Sequence, residues 1–302
     1  MKSLKYLLLF LPILFAPNLN AQDNFSVRNG DVILPGTLLT DGNPEIPIVV
    51  FVHGSGPNDR DETIGPNKMF KQLAEKLASH GISSLRYDKR TLLYKHGADT
   101  ITYKEETVDD AVAAARQLFA EGYKHIFVAG HSLGGHCIPL IAEACGDVLD
   151  GVIVMSGNVG TLESALNTQI NYLGKQQGMT PAQIQATISQ MTAALPQKYI
   201  EFDRSYSPLP LAKKIIKENK KLRWMVVAGG HDYQVTSLDF SLWRMNLGSA
   251  ATYYFGATLD HLLRPLPQMA TPQDYLQEGE IDEAVVKGMA DFMSKTPQIT
   301  EK

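Results

Sequence analysis

Cysteine is nearly absent: Cys137 and Cys145 are the only two among 302 residues. A disulfide-built scaffold is therefore excluded, and the pair is itself a poor candidate for a bridge. The two stand eight apart in one predicted helix, about 12 Å at the helical rise, which is beyond disulfide reach. Two free thiols are expected, tolerable in an exported protein if buried. Neither has a metal-ligating partner at a suitable spacing. Long hydrophobic runs are missing as well. The apolar stretch from Tyr6 to Ala16 is too short to span a membrane. An excess of positive charge is also lacking: 28 Lys and Arg against 32 Asp and Glu leave a net charge of -4. With no basic stripe, nucleic acid is not an expected partner. Internal repeats and low-complexity segments are not found.

The apolar stretch has a specific setting. The basic segment Met1-Lys2-Ser3-Leu4-Lys5 precedes it, and Leu19-Asn20-Ala21 follows with a small residue at a cleavage point. Pro12 and Pro17 disfavour a buried helix there. This predicts a secretory signal peptide over residues 1–21. Cleavage after Ala21 would remove Lys2 and Lys5, leaving 26 basic against 32 acidic residues, a net charge of -6. No cysteine stands at the cleavage point to carry a lipid. The expected product is exported, periplasmic or secreted, with no stable membrane anchor.

What remains, residues 22–302, is long enough and apolar enough, at 44% hydrophobic, to bury a sizeable core. Residues 25–40 read as one or two strands around the turn Asn29-Gly30. "IPIVVFVH" (46–53) is continuous rather than alternating, the pattern of a parallel strand covered on both faces. "ISSLRYD", "HIFVAG", "GVIVMSG", "LRWMVVAGG" and "ATYYFG" follow as strands. Helices are predicted between them, near 68–79, 107–121, 133–144, 238–247 and 281–293. In the second of these Val108, Val112, Ala115 and Phe119 share one face. Alternating strands and helices imply right-handed βαβ units and an α/β fold with a mostly parallel sheet. One segment breaks the rhythm. Some 65 residues between Gly157 and Leu222 hold no strand pattern but two apolar stripes, Leu162-Leu166-Ile170-Leu173 and Ile184-Ile188-Met191-Leu195. Thr180 is the expected N-cap of the second helix and Pro181 its first residue. A helical cap inserted at about 158–215 is expected, roofing a site that Ile188 and Met191 would line.

A serine between two glycines, where a strand becomes a helix, marks the candidate site. Gly130-His131-Ser132-Leu133-Gly134 is G-x-S-x-G in the context that makes the pattern specific: a buried strand before it and a helix after it. Such a turn strains the serine backbone and leaves no room for bulk two positions away, and the helix N-terminus favours developing negative charge. Ser132 is the predicted nucleophile. A serine hydroxyl needs a base. In the order serine, acid, histidine only His231 and His261 qualify, and His261, in a loop after "ATYYFG", is preferred. Asp232, directly after "WMVVAGG", is the preferred acid, with Asp260 and Asp239 as alternatives. The tetrahedral intermediate needs two backbone donors. Leu133 N–H should be one. Ser55 N–H, in the loop His53-Gly54-Ser55-Gly56-Pro57, should be the other, with Gly54 as the runner-up. His53 is read as a structural hydrogen-bonding group under that loop.

Three longer stretches, "HGSGPNDRDETIGPNK" (53–68), "LRYDKRT" (85–91) and "GGHDYQV" (229–235), carry a resemblance. Together with the strand–turn–helix around Ser132 they resemble the α/β-hydrolase superfamily, and within it the bacterial carboxylesterases of the EstD type. Those are serine esterases related to dienelactone hydrolase and to prolyl-oligopeptidase-like peptidases. The resemblance covers roughly residues 28 to 295. It implies an eight-stranded sheet, a helical cap between the sixth and seventh strands, no metal or cofactor, and hydrolysis of short acyl esters, with a small-molecule ester as substrate. Two departures stand out. Some relatives carry an extra N-terminal domain, for which this chain is not expected to have room. Thr91 stands where many relatives have glycine, which bears on the loop 91–100. The expectation is an exported serine hydrolase working through an acyl-enzyme on Ser132. The first rival is an amidase or aminopeptidase, which would need a carboxylate such as Glu163, Glu201 or Asp203 to hold a substrate amine. The second is a non-catalytic binding protein. The charged run within 53–68 is either a solvated loop locked by internal ion pairs or a rim that orients substrate.

Overall fold

The computed structural model describes residues 21–94 and 100–295. The predicted signal peptide, apart from Ala21, lies outside the described residues, as do residues 95–99 of the expected loop 91–100; Thr91 itself stands in a short helical turn, Arg90–Leu93. Eight strands form the main sheet: β1 Ala21–Asn29, β2 Val32–Thr40, β3 Ile48–Val52, β4 Ser83–Tyr87, β5 Ile126–His131, β6 Gly151–Met155, β7 Arg223–Gly229 and β8 Ala251–Gly256. Their spatial order is β1-β2-β4-β3-β5-β6-β7-β8. β1 and β2 form an antiparallel hairpin, and β2 runs antiparallel to β4. From β4 to β8 every pairing is parallel. The chain therefore has the α/β-hydrolase type of sheet.

Continuous apolar strands produce this sheet because both faces are covered. In β3, Ile48, Val50 and Val52 join one core and Val49 and Phe51 the other. The same alternation divides Val226 from Val227 in β7, as the two-residue period of a strand requires. On the first face lie α2 Asp110–Ala120, α3 Leu133–Cys145 and α8 Ser237–Leu247; on the second lie α1 Met69–Ala78 and α9 Glu283–Ser294. Cys137 and Cys145, both in α3, are free and buried, and burial pushes the Cys145 thiol up to about 12. No helix among the described residues is long and apolar enough to cross a membrane.

Two expectations need correction. Phe119 does not share the buried face of α2; it is 55% exposed, and Leu118 is buried instead. A π-helical turn, Lys104–Asp109, leads into α2, and the buried stripe runs through Ala111, Ala115 and Leu118. That leaves Phe119 beyond its margin. The second correction concerns the insertion between β6 and β7. It comprises α4 Leu162–Gln176, α5 Pro181–Ala193, α6 Gln197–Ser205 and α7 Pro208–Glu218. The α4–α5 hairpin forms as expected, with Thr180 capping α5 in a reciprocal pair with Gln183 and Pro181 at its first position. α7, however, is not part of a roof. Its Ala212 and Ile215 join the core on the α3 face of the sheet.

Candidate active site

The site gathers where the parallel strands end. β5 runs into Ser132, and α3 begins at Leu133. Ser132 has φ 55° and ψ −115°, a left-handed conformation that strains a non-glycine residue. The flanking glycines are dictated by close approach. A methyl group at Gly130 would run into the Gly134 carbonyl, and one at Gly134 into the Val52 carbonyl of β3. The turn thus presses its backbone against the neighbouring strand and lifts Ser132 into a cavity of about 230 Å³.

His261 and Ser132 line that same cavity. His261 lies in the loop after β8, and its Nδ1 is 2.7 Å from Asp232 Oδ2. Asp232 follows β7, is buried, and accepts two further hydrogen bonds at Oδ1, from the backbone N–H groups of Gln234 (2.7 Å) and Val235 (3.0 Å). A carboxylate holding two amides and an imidazole in this way is pinned in one orientation, and it sets Nδ1 of His261 as the protonated nitrogen. The alternatives are occupied elsewhere. Asp260 pairs with Arg264 and accepts the Leu262 and Arg264 amides. Asp239 caps α8 through Thr236 and accepts the Val159 amide. His231 bonds through Nδ1 to the Leu266 carbonyl.

The two predicted oxyanion donors border the cavity as well. Leu133, at the first position of α3, has an N–H with no intrahelical acceptor. Of the two loop candidates, the Gly54 N–H already donates to Glu62 Oε1 at 2.6 Å. Ser55 remains the candidate donor in that loop. Lys89, buried, anchors the loop from beneath by donating from Nζ to the Gly54 carbonyl (2.8 Å), beside Glu106 Oε1 at 3.3 Å. His53 lies under the loop against Phe70 and Tyr87, and burial pushes its imidazole down to about 4, so it stays neutral.

The 53–68 run is tied down by one ion pair within itself, Asp61–Lys68, and by two to the β4 segment outside it. Arg60 pairs with Asp88 at 2.7 Å, and Asp61 takes Arg86 and Lys68. Asn58, Glu62 and Ile64 from the same run line the cavity. The sequence reading missed Glu62 and His131. Glu62 is turned inward, 2% exposed, and its Oε2 is 3.0 Å from His131 Nδ1. Its one local signal is its place in a quoted charged run, and nothing there separates an inward carboxylate from the solvated ones beside it.

The roof of the cavity comes from α4 alone, through Leu162, Ala165, Leu166 and Gln169. The expectation that Ile188 and Met191 line it is not met. Ile188 packs with Ile170 and Ile184 between α4 and α5, and Met191 is 45% exposed. α5 supports the roof from outside. Among the described residues no group of three or more His, Cys, Asp or Glu side chains is arranged to hold a metal ion.

The family described as "Alpha/beta hydrolase family" matches residues 49–288. The chain is 33% identical over 279 residues to the esterase EstD of Thermotoga maritima, a match that takes in 87% of this chain and 66% of that protein. It therefore spans just under two thirds of this curated relative's length. Among solved structures, Est1E from Butyrivibrio proteoclasticus superposes with a TM-score of 0.58 at 16% identity, over 90% of this chain and 99% of that one. The acylaminoacyl peptidase of Pyrococcus horikoshii gives a TM-score of 0.58 at 16% identity, over 93% of this chain and 43% of its own. At these identities the structural likeness is one of fold.

Proposed function

The chain belongs to the alpha/beta hydrolase family, and from that premise we propose that it is an exported serine hydrolase that cleaves short-chain carboxylic esters through an acyl-enzyme on Ser132. The observation that carries the reading is the 2.7 Å bond from His261 Nδ1 to Asp232, with His261 and Ser132 lining one cavity that Ser55 and Leu133 also border. With Nδ1 held by Asp232, Nε2 of His261 takes the Ser132 proton as Oγ attacks the ester carbonyl. The Ser55 and Leu133 amides stabilise the oxyanion, each contributing about 10²- to 10³-fold. His261 returns the proton to the departing alcohol, and a water, deprotonated by the same nitrogen, releases the acid. The likeness to EstD, an esterase by name, supports ester hydrolysis.

The acids proposed to hold a substrate amine are occupied. Glu163 pairs with Arg204 at 2.9 Å, Asp203 accepts the Leu162 amide, and Glu201 is exposed and bonded to Gln197. Glu62 is the one carboxylate among the cavity-lining residues, and both its oxygens are taken. That disfavours an aminopeptidase, which needs a free carboxylate for the substrate amine. The cavity is smaller than the pockets of about 300–1,000 Å³ that enclose drug-sized ligands, which favours short acyl groups.

The test is turnover of p-nitrophenyl esters of increasing acyl length, beside aminoacyl anilides. Each methylene buried under the roof adds about 0.8 kcal/mol, or about fourfold in kcat/KM, until the cavity is full. Efficiency is expected to peak at a short chain and then fall. Leu166→Ala should move the peak to longer chains, whereas Met191→Ala should leave the profile unchanged. An unmoved peak in Leu166→Ala would remove α4 from the acyl subsite, and faster anilide cleavage would replace the esterase reading with the amidase one.

Export rests on the basic–apolar–small order of residues 1–21. N-terminal sequencing of the exported protein should begin at Gln22. Material beginning at Met1 and confined to the cytoplasm would remove this part of the proposal.

A further inference from the structure

Beside the triad lies a second buried acid–imidazole pair that the mechanism above does not use. Glu62 and His131 are 2% and 1% exposed. His131 Nδ1 lies 3.0 Å from Glu62 Oε2, and its Nε2 lies 2.9 Å from the backbone carbonyl oxygen of His261. A carbonyl oxygen can only accept, so Nε2 must carry a proton. An ionised carboxylate can only accept, so Nδ1 must carry one too. The other oxygen of Glu62 accepts the Gly54 N–H at 2.6 Å, which a carboxylate suits best.

We propose that His131 is an imidazolium at neutral pH, held by Glu62, and that the pair is a positioning clamp joining the three backbone segments that carry the reaction. The proposal rests on the serine-hydrolase reading. Glu62 holds the amide of Gly54, next to the oxyanion donor Ser55. His131 precedes Ser132 in the chain. Its Nε2–H holds the carbonyl of His261, the base. The loop carrying His261 is fixed on its other side by Asp260, which accepts the Leu262 and Arg264 amides. Glu62 itself sits at φ 48°, a left-handed backbone that persists where surrounding contacts enforce it.

The groups facing His131 are consistent with the charged state. Glu62 approaches from the loop after β3 and Asp232 from the loop after β7; the His261 ring lies 4.6 Å away, centroid to centroid, and uncharged Phe70 of α1 lies edge-on at 6.5 Å. His53, beyond Glu62, is neutral. Burial alone would lower the His131 imidazole, but the Glu62 charge and the two hydrogen bonds raise it above its ordinary value. Burial alone would raise the Glu62 carboxyl, yet His131 and the Gly54 amide hold it below the usual range.

Two variants and one spectrum test this. In wild-type protein with ¹⁵N-labelled histidine, NMR at neutral pH should show both His131 nitrogens protonated; a bare nitrogen overturns the charged state. Glu62→Ala should lower kcat about 10- to 100-fold with KM changed less than about threefold, the size of loss that displaced reacting groups produce. Glu62→Gln can still accept the Gly54 amide at Oε1 and donate from Nε2 to His131 Nδ1. It should make His131 neutral while restoring kcat to within about threefold of wild type. Wild-type kcat in Glu62→Ala, a change in KM alone, or equal losses in both variants overturns the clamp. If Glu62→Ala does not fold, the Glu62→Gln kinetics and spectrum decide. A fluorophosphonate probe keeps the readings apart: a wild-type protein that is not labelled at Ser132 would fail as a serine hydrolase whatever the state of His131.

Discussion

Ser132→Ala is expected to lower ester turnover by about 10³-fold or more while the protein stays folded. The substitution removes one oxygen and keeps the backbone at φ 55°, so the strain of the turn is inherited unchanged. Contacts that fix the turn are made by the backbone: the Ser132 N–H donates to the Met155 carbonyl at 3.0 Å, and its carbonyl accepts the His136 N–H at 2.9 Å. Both survive the change. Thermal melting should therefore stay close to wild type while activity falls to the level that substrate binding and the Ser55 and Leu133 amides alone sustain. Near-normal turnover in Ser132→Ala, or an acyl group trapped on another residue, would reject this nucleophile.

Asp232→Asn should cost about 10²- to 10⁴-fold in kcat, and the reason lies in the orientation of the carboxamide. Oδ1 of Asp232 accepts two backbone amides, and Oδ2 faces His261 Nδ1. In the variant only the amide oxygen can accept the two N–H groups, so the NH₂ must face the imidazole. It forces the proton from Nδ1 to Nε2, leaving the base with a proton on the nitrogen that should accept one. Activity should recover only in part at higher pH, because the tautomer is wrong at every pH. His261→Ala should lose nearly as much as Ser132→Ala, and the double variant no more than the worse single one, since the residues act as a unit. Full activity in Asp232→Asn would show that the bond to His261 does not serve catalysis.

Much of the molecule follows from local pattern. Continuous apolar strands such as Ile48–Val52 form parallel strands because both faces are buried, and the helices between them follow the 3.6-residue period. The Thr180-Pro181 start of α5 follows from backbone donors that need a cap. Ser132 is legible because its flanking glycines are demanded by backbone contact, and that demand is written in residue type. Asp232 and His261 are legible as the acid and histidine that follow the last two strands.

Other features have no local signature. Position after a strand favours Asp232 over Asp260 and Asp239, but the partners that occupy each are seen only in the fold: Arg264, four residues on, for Asp260, the α8 cap and the distant Val159 amide for Asp239, and His261 for Asp232. Ser55 is preferred to Gly54 from the sequence, but the contact that separates them, the Glu62 carboxylate on the Gly54 amide, has no local sign. α7 carries the same apolar face whether it roofs a pocket or joins the main core, and the choice depends on α3 beneath it. The inward turn of Glu62 depends on His131, 69 residues away, and through it on His261. Periodicity and propensity report the energy of a segment with itself and with water. The identity of a buried partner is a property of the packed chain, where a carboxylate is stable only beside the donors that tertiary folding brings to it.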